Sequence, residues 1–221
     1  MERRGKTLDT LKYLVERYSL DISDNVRRPI EIPNVGRNIL GEWFKDLGYR
    51  VGLELGVERG IFSKILLDAN PNLELFCVDP WQQYDGYTAR LNNESLPNKY
   101  YEAQEKLKGF NVHFYKQFSH DAVKRFKDNS LDFVYIDANH DLPWCMDDII
   151  WWEKKVRPGG ILCGHDYIKM NQRKPSKVRV VEALRWYTEL KPIKTWFIIG
   201  ARAKVPGIIR DSDRSWMWVK E

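Results

Sequence analysis

Apolar residues recur at helical spacing near the start of the chain. Leu8, Leu11, Leu14, Val15 and Tyr18 share one side of the stretch Thr7 to Leu20 and predict an amphipathic helix. A second helix is predicted over about Gly36 to Leu47. Between them, Asp21 to Pro33 holds two prolines among scattered charges and reads as a linker, which leaves the first helix to pack on the body or to act as a lid. From Arg50 the pattern changes to short β-rich runs separated by longer helical stretches: Arg50 to Val57, Leu73 to Asp79, Val112 to Gln117, Leu131 to Asp137, and Gly160 to Cys163. Near-continuous apolar runs such as Phe133-Val134-Tyr135-Ile136 suit a sheet covered on both faces, with the helices as right-handed crossovers. A helix around Val178 to Leu190 and two strands, Thr195 to Gly200 and Ser215 to Val219, close the chain. The expected fold is α/β and doubly wound, a mostly parallel seven-stranded sheet with helices on both faces. Residues 1–49 form an N-terminal helical extension and residues 50–221 the α/β domain.

Composition adds exclusions. With 43% hydrophobic and 30% charged residues, the 221-residue chain belongs with ordinary globular proteins rather than collagen-like, low-complexity or disordered ones. The 36 basic and 31 acidic residues leave a net +5, which permits an anionic partner, although the mixed signs suit a solvated surface. No uncharged apolar run approaches the roughly 18 residues of a membrane helix. No signal-type apolar stretch follows Met1-Glu2-Arg3-Arg4-Gly5-Lys6, so a soluble cytoplasmic protein without a membrane partner is expected. Cys77, Cys145 and Cys163 are far apart and contain no CxxC pair, which indicates neither a disulfide framework nor a zinc module.

The chemistry-bearing residues end the β runs, where open α/β sheets bind their ligands. The first run leads into Glu54-Leu55-Gly56-Val57-Glu58-Arg59-Gly60, in which two glycines bracket a turn into a helix whose N-terminus offers free N–H groups to an anion. Asp79 follows Gly56 by 23 positions and ends the second run, where a carboxylate can accept both hydroxyls of a ribose or cap a turn before Pro80. Glu58 occupies the middle glycine position of a dinucleotide loop. A bulky anion there fits poorly beside a pyrophosphate, which argues for a ligand with a ribose but no phosphates.

These residues resemble a known family. Glu54-x-Gly56-x-x-x-Gly60, Asp79, Leu131-Asp132-Phe133-Val134-Tyr135-Ile136-Asp137 and Arg157-Pro158-Gly159-Gly160-Ile161-Leu162 are similar, in that order, to class I S-adenosylmethionine-dependent methyltransferases, a Rossmann-like fold whose sixth and seventh strands the closing pair matches. An antiparallel last strand is what this resemblance implies. Ile136-Asp137-Ala138-Asn139-His140, followed by Gly164-His165-Asp166-Tyr167, resembles the small-molecule type that includes catechol and macrocin O-methyltransferases.

The resemblance implies a methyltransferase moving a methyl group to a small-molecule acceptor, a hydroxyl, with possible metal assistance. It places Glu54, Gly56, Gly60 and Ser63 around the methionine part of S-adenosylmethionine, Asp79 at its ribose, and Trp81 and Ser119 at its adenine, with Asp137 also at the cofactor. Trp81 after the ribose acid can offer an apolar face to a purine or pack the core. Asp137, His165 and Asp166 end adjacent strands and would hold a divalent ion, magnesium preferring the oxygens, manganese or iron tolerating the imidazole. His140, three residues beyond Asp137, stands where catechol-type enzymes carry a lysine base, and neutral imidazole can take a hydroxyl proton near pH 7. It can equally order the loop before Asp141. Asp141, Asp147 and Asp148 are expected to cap or solvate the next helix. The stretch Gln82 to Lys108, with Tyr84, Tyr87, Tyr100 and Tyr101, is a substrate wall or a surface hairpin, and the basic run Lys169 to Arg179 a steering loop or a solvated one.

Two other classes compete. An NAD(P)-dependent oxidoreductase is disfavoured by Glu58 and the closing strand pair. A non-catalytic nucleoside- or nucleic-acid-binding module is compatible with the positive charge, but no RNA-binding signature or dense basic-aromatic stripe supports it. A homodimer is compatible with the sequence.

Overall fold

The computed structural model describes residues 9–83, 95–168, 178–191, 193–201, 204, 206, 207, 209, 211 and 213–221. Leu8, Tyr84, Tyr87 and most of the basic run (Lys169, Arg173, Lys174, Lys177) lie outside them. In chain order the elements are α1 Thr10–Tyr18, β1 Ile30–Ile32, α2 Leu40–Asp46, β2 Val51–Leu55, α3 Ile61–Ala69, β3 Glu74–Val78, α4 Ser95–Lys106, β4 Val112–Tyr115, α5 Ser119–Ala122, β5 Leu131–Ile136, α6 Leu142–Glu153, β6 Val156–Tyr167, α7 Val180–Leu190, β7 Phe197–Ile199 and β8 Arg214–Val219.

The strands form one sheet in the order β1-β7-β8-β6-β5-β2-β3-β4. Every adjacent pair is parallel except those that β8 makes with β6 and β7. This is the expected doubly wound, mostly parallel sheet, with eight strands where seven are expected. The extra strand comes from the segment read as a linker: Ile30-Glu31-Ile32 alternates buried, exposed, buried, and pairs in parallel with Phe197-Ile198-Ile199. Three residues between two prolines are too short a run to stand out by periodicity, and only the waiting edge of β7 makes a strand of them.

Strand alternation divides the core into two layers. Phe133, Tyr135, Ile161, Cys163, Phe197 and Met217 point to the face covered by α1, α2 and α3. Leu53, Leu55, Val134, Ile136, Leu162, Trp216 and Trp218 point to the face covered by α6 and α7. Glu54 faces the first layer, between Leu53 and Leu55 on the second, and is therefore a carboxyl group buried in an apolar layer.

Helix α1 starts at Asp9, whose carboxylate accepts the Lys12 N–H at 3.0 Å. It is anchored by the Thr10 hydroxyl donating to the Gly159 carbonyl at 2.6 Å. Gly159 lies near the start of the long β6, at the end of the sheet opposite the strand termini that carry Asp79 and Asp137, so α1 packs the body and does not cover those residues. Cys77, Cys145 and Cys163 are buried free thiols. Among the described residues, no helix is long and apolar enough to cross a membrane.

Candidate active site

Strand order reverses between β2 and β5, and the residues following these two strands meet there. The Gly56 N–H donates to the Val78 carbonyl at 2.9 Å and the Asp137 N–H to the Leu55 carbonyl at 2.9 Å. Gly56 has φ +82°, and a Cβ built on it would lie 1.9 Å from the Asp137 carbonyl oxygen. The turn continues through Glu58 at φ +52° and Gly60 at φ +67° into α3.

Behind the turn, the Ser63 hydroxyl donates to the Glu54 carboxyl group. Burial pushes the Glu54 pKa up to about 8, with Asp137 adding to the rise against the opposing Ser63 hydrogen bond. A buried carboxyl group of this kind suits a ligand ammonium, which would supply the missing counter-charge.

Asp79 follows β3 and accepts the N–H groups of Glu58 at 3.0 Å and Trp81 at 2.7 Å. Burial raises its pKa, and these backbone hydrogen bonds oppose the rise. Trp81 is 2% exposed and packs against Tyr100 and Phe114, its indole N–H donating to the Glu58 carbonyl at 2.8 Å. The structure thus gives Trp81 a packing role around the turn, whereas a free indole face for a purine is not present. Ser119, after β4, donates its hydroxyl to Asp148 and accepts the Trp152 indole N–H at 2.7 Å. Asp148 is therefore no solvated helix residue: it is buried, which raises its pKa to about 7, against the Ser119 hydrogen bond. Asp141 does cap α6, accepting the Leu142 N–H at 2.8 Å.

Beyond β5 and β6 a second group gathers. His140 Nε2 lies 3.3 Å from Asp137 Oδ1 and 2.9 Å from Asp166 Oδ2. His165 Nδ1 stands farther off, 3.7 Å from Asp137 and 3.6 Å from Asp166. A break in the β6–β8 register between Gly164 and Tyr167 turns this strand end, and Asp166 takes φ +58°. Irregularities of that kind re-aim side chains at sheet ends, and a left-handed backbone at a non-glycine residue is a local cost that the surroundings must hold. Burial alone would lower the His140 pKa, but the hydrogen bonds and charges of Asp137 and Asp166 outweigh it and raise it to about 10. Asp166 is opposed by burial but held below the usual carboxylate range by both histidines.

The donor set fits a divalent ion. One atom each of Asp137, His140 and Asp166 lie within 4.8 Å of one another, two oxygens and one imidazole nitrogen. Of the expected set Asp137, His165 and Asp166, the two carboxylates fall in this group, whereas its imidazole is that of His140; His165 Nδ1 stands 3.7 and 3.6 Å from them.

Sequence reasoning missed Arg37. This residue lies just ahead of α2, and its guanidinium reaches Asp137 Oδ2 at 3.2 Å and the Tyr135 hydroxyl at 3.4 Å, 5.0 Å from the Phe62 ring centre. No sequence signal announced it, because Ile30-Glu31-Ile32, which docks this segment at the sheet edge, is too short to read by periodicity.

A mostly parallel, doubly wound sheet with a glycine turn at its switch point and carboxylates at the ends of neighbouring strands is the Rossmann-like arrangement, in which ligands sit at the carboxyl ends of the strands. A family model described as a methyltransferase domain matches residues 53–167, and the chain belongs to this family. Among solved structures, the chain is similar to the O-methyltransferase TomG of Streptomyces achromogenes, involved in tomaymycin synthesis and solved with SAM, at 18% identity, TM-score 0.58, covering 98% of this chain and 92% of that one. It is also similar to an O-methyltransferase of Bacillus cereus solved with SAH, at 15% identity, TM-score 0.57, covering 99% and 93%. These two likenesses concern the fold. No curated protein matches the chain.

Proposed function

We propose that the protein transfers the methyl group of S-adenosylmethionine to a hydroxyl of a small-molecule acceptor. The observation that carries the reading is the packing of Gly56 on Asp137 at the switch point of a methyltransferase-family sheet, with Asp79 bonded to the same turn through the Glu58 N–H. Glu54, Gly56, Gly60 and Ser63 receive the methionine part, Glu54 through its ammonium and the α3 N-terminus through its carboxylate. Asp79 takes the ribose hydroxyls. Ser119 borders the adenine, with Trp81 stiffening the turn beside it. When bound, the cofactor supplies an electrophilic methyl group on a sulfonium. This chain's own part is to hold the acceptor oxygen in line with that methyl group and to take up the hydroxyl proton.

Asp137, His140 and Asp166 handle that proton. With a pKa raised to about 10, His140 at neutral pH is an imidazolium held by two carboxylates. In that form it orients the acceptor oxygen by donation, and becomes a base only as it loses its proton. A divalent ion, held by Asp137 and Asp166 with His140 or His165, would acidify an acceptor hydroxyl. Rate then comes largely from proximity and orientation. Calorimetric titration with S-adenosylmethionine, S-adenosylhomocysteine and NADH tests the reading: the first two bind at one site and NADH does not. Binding of NADH alone would replace the methyltransferase reading by an oxidoreductase one.

A further inference from the structure

One face of α4 serves a single three-residue turn. Lys99, Glu102, Ala103, Lys106 and Leu107 recur at helical spacing, and each touches the Glu58–Gly60 stretch. The Lys99 ammonium pairs with the Glu58 carboxylate. Glu102 takes Arg59 Nη1 on both oxygens, at 2.8 and 2.6 Å. Lys106 donates to the Arg59 carbonyl at 2.8 Å. Ala103 and Leu107 stand 3.3 and 3.2 Å from where a Gly60 Cβ would lie.

Lys99 is the unusual member. It is 2% exposed, while its partner Glu58 is 57% exposed at the side chain. Drawing an ammonium out of water is costly unless a well-placed partner returns it, so a surface ion pair does not explain a lysine buried this far. Glu58 is meanwhile tied at every polar handle: its N–H to Asp79, its carbonyl to the Trp81 indole, its carboxylate to Lys99. Such tethers are what keep a glutamate at φ +52°.

We infer that Lys99 is a positioning residue for cofactor binding: acting through Glu58, it holds the turn whose N–H orients the Asp79 carboxylate toward the ribose. The inference rests on the reading of Asp79 as the ribose acceptor. It assigns to α4 the task of shaping the nucleoside site from outside, without touching the cofactor.

The test is a double-mutant cycle on the full-length protein, with S-adenosylhomocysteine affinity read by calorimetry. Lys99→Met keeps the apolar stem and should weaken binding on the order of tenfold, the scale of one misdirected charged hydrogen bond. In an Asp79→Ala background the same change should weaken binding by less than about twofold, because the two act through one path. Turnover at saturating cofactor should stay close to wild type. Should Lys99→Met fold poorly, the pair Glu58→Gln with Lys99→Met replaces both partners of the ion pair at once and carries the same expectation. Unchanged affinity in the folded variant overturns the inference alone, as does an equal loss in both backgrounds, which marks a merely structural role. Failure of the wild-type protein to bind S-adenosylhomocysteine overturns the cofactor reading and the inference with it.

Discussion

Gly56 and Asp137 meet backbone to backbone: a Cβ on Gly56 would stand 1.9 Å from the Asp137 carbonyl oxygen, across the point where strand order reverses. This approach sets the spacing between the glycine turn and the catalytic-side carboxylate. Gly56→Ala adds a clash with backbone, which cannot rotate aside, to a φ of +82°. The variant should lose about 3 kcal/mol or more of stability and most of its cofactor affinity, measured by thermal unfolding and calorimetry. A fold and affinity equal to wild type would show that the strands can part at no cost.

Asp79→Ala removes a carboxylate that accepts two backbone N–H groups and, in the proposed function, the ribose hydroxyls. Charged hydrogen bonds contribute about 1.5–3 kcal/mol each, so S-adenosylmethionine affinity should fall about tenfold or more. Unaltered binding by the folded variant would take the ribose away from Asp79.

Glu54 predicts a proton. Its pKa of about 8 in the free protein keeps the carboxyl group largely protonated at pH 7, whereas a ligand ammonium beside it favours the carboxylate. S-adenosylmethionine binding at pH 7 should therefore release close to one proton and tighten as pH rises toward 8. Calorimetry in buffers of different ionisation enthalpy reads this directly, and proton uptake would contradict it.

His140 predicts a pH window. Its folded pKa lies above the ordinary 6.5, at about 10, so the protonated ion pair contributes its full stability below pH 6.5. That contribution is lost as pH rises through 10. The stability margin of wild type over His140→Gln should be flat below pH 6.5 and shrink above it, in melting curves across pH. If His140 also acts as base, the rate should rise over the same range and fall about 10²- to 10⁴-fold in His140→Gln. Near wild-type turnover in that variant would leave it an orienting residue.

A divalent ion at Asp137, His140 and Asp166 must displace the His140 proton. Manganese binding should therefore strengthen with rising pH and vanish in Asp166→Ala while cofactor binding persists. Activity undiminished after thorough chelation would exclude a metal role in catalysis.

The residues that end the strands were legible in the sequence, because strands alternate with period two, helices with 3.6, and loops that must bind ligands announce themselves with Gly56, Gly60, Asp79 and Asp137. The doubly wound, mostly parallel sheet followed from the same patterning, and the antiparallel β8 from the family resemblance. What it could not contain were relations across the chain. Ile30–Ile32 became a strand only because β7 offered an unpaired edge, and through that docking Arg37 reached Asp137. His140 stands nearer the carboxylates than His165 because the register break in β6 turned Asp166. Tertiary packing alone buried Lys99 against Glu58. Periodicity is local and survives in the sequence, whereas burial, ion pairing and pKa depend on which distant elements the completed sheet brings together.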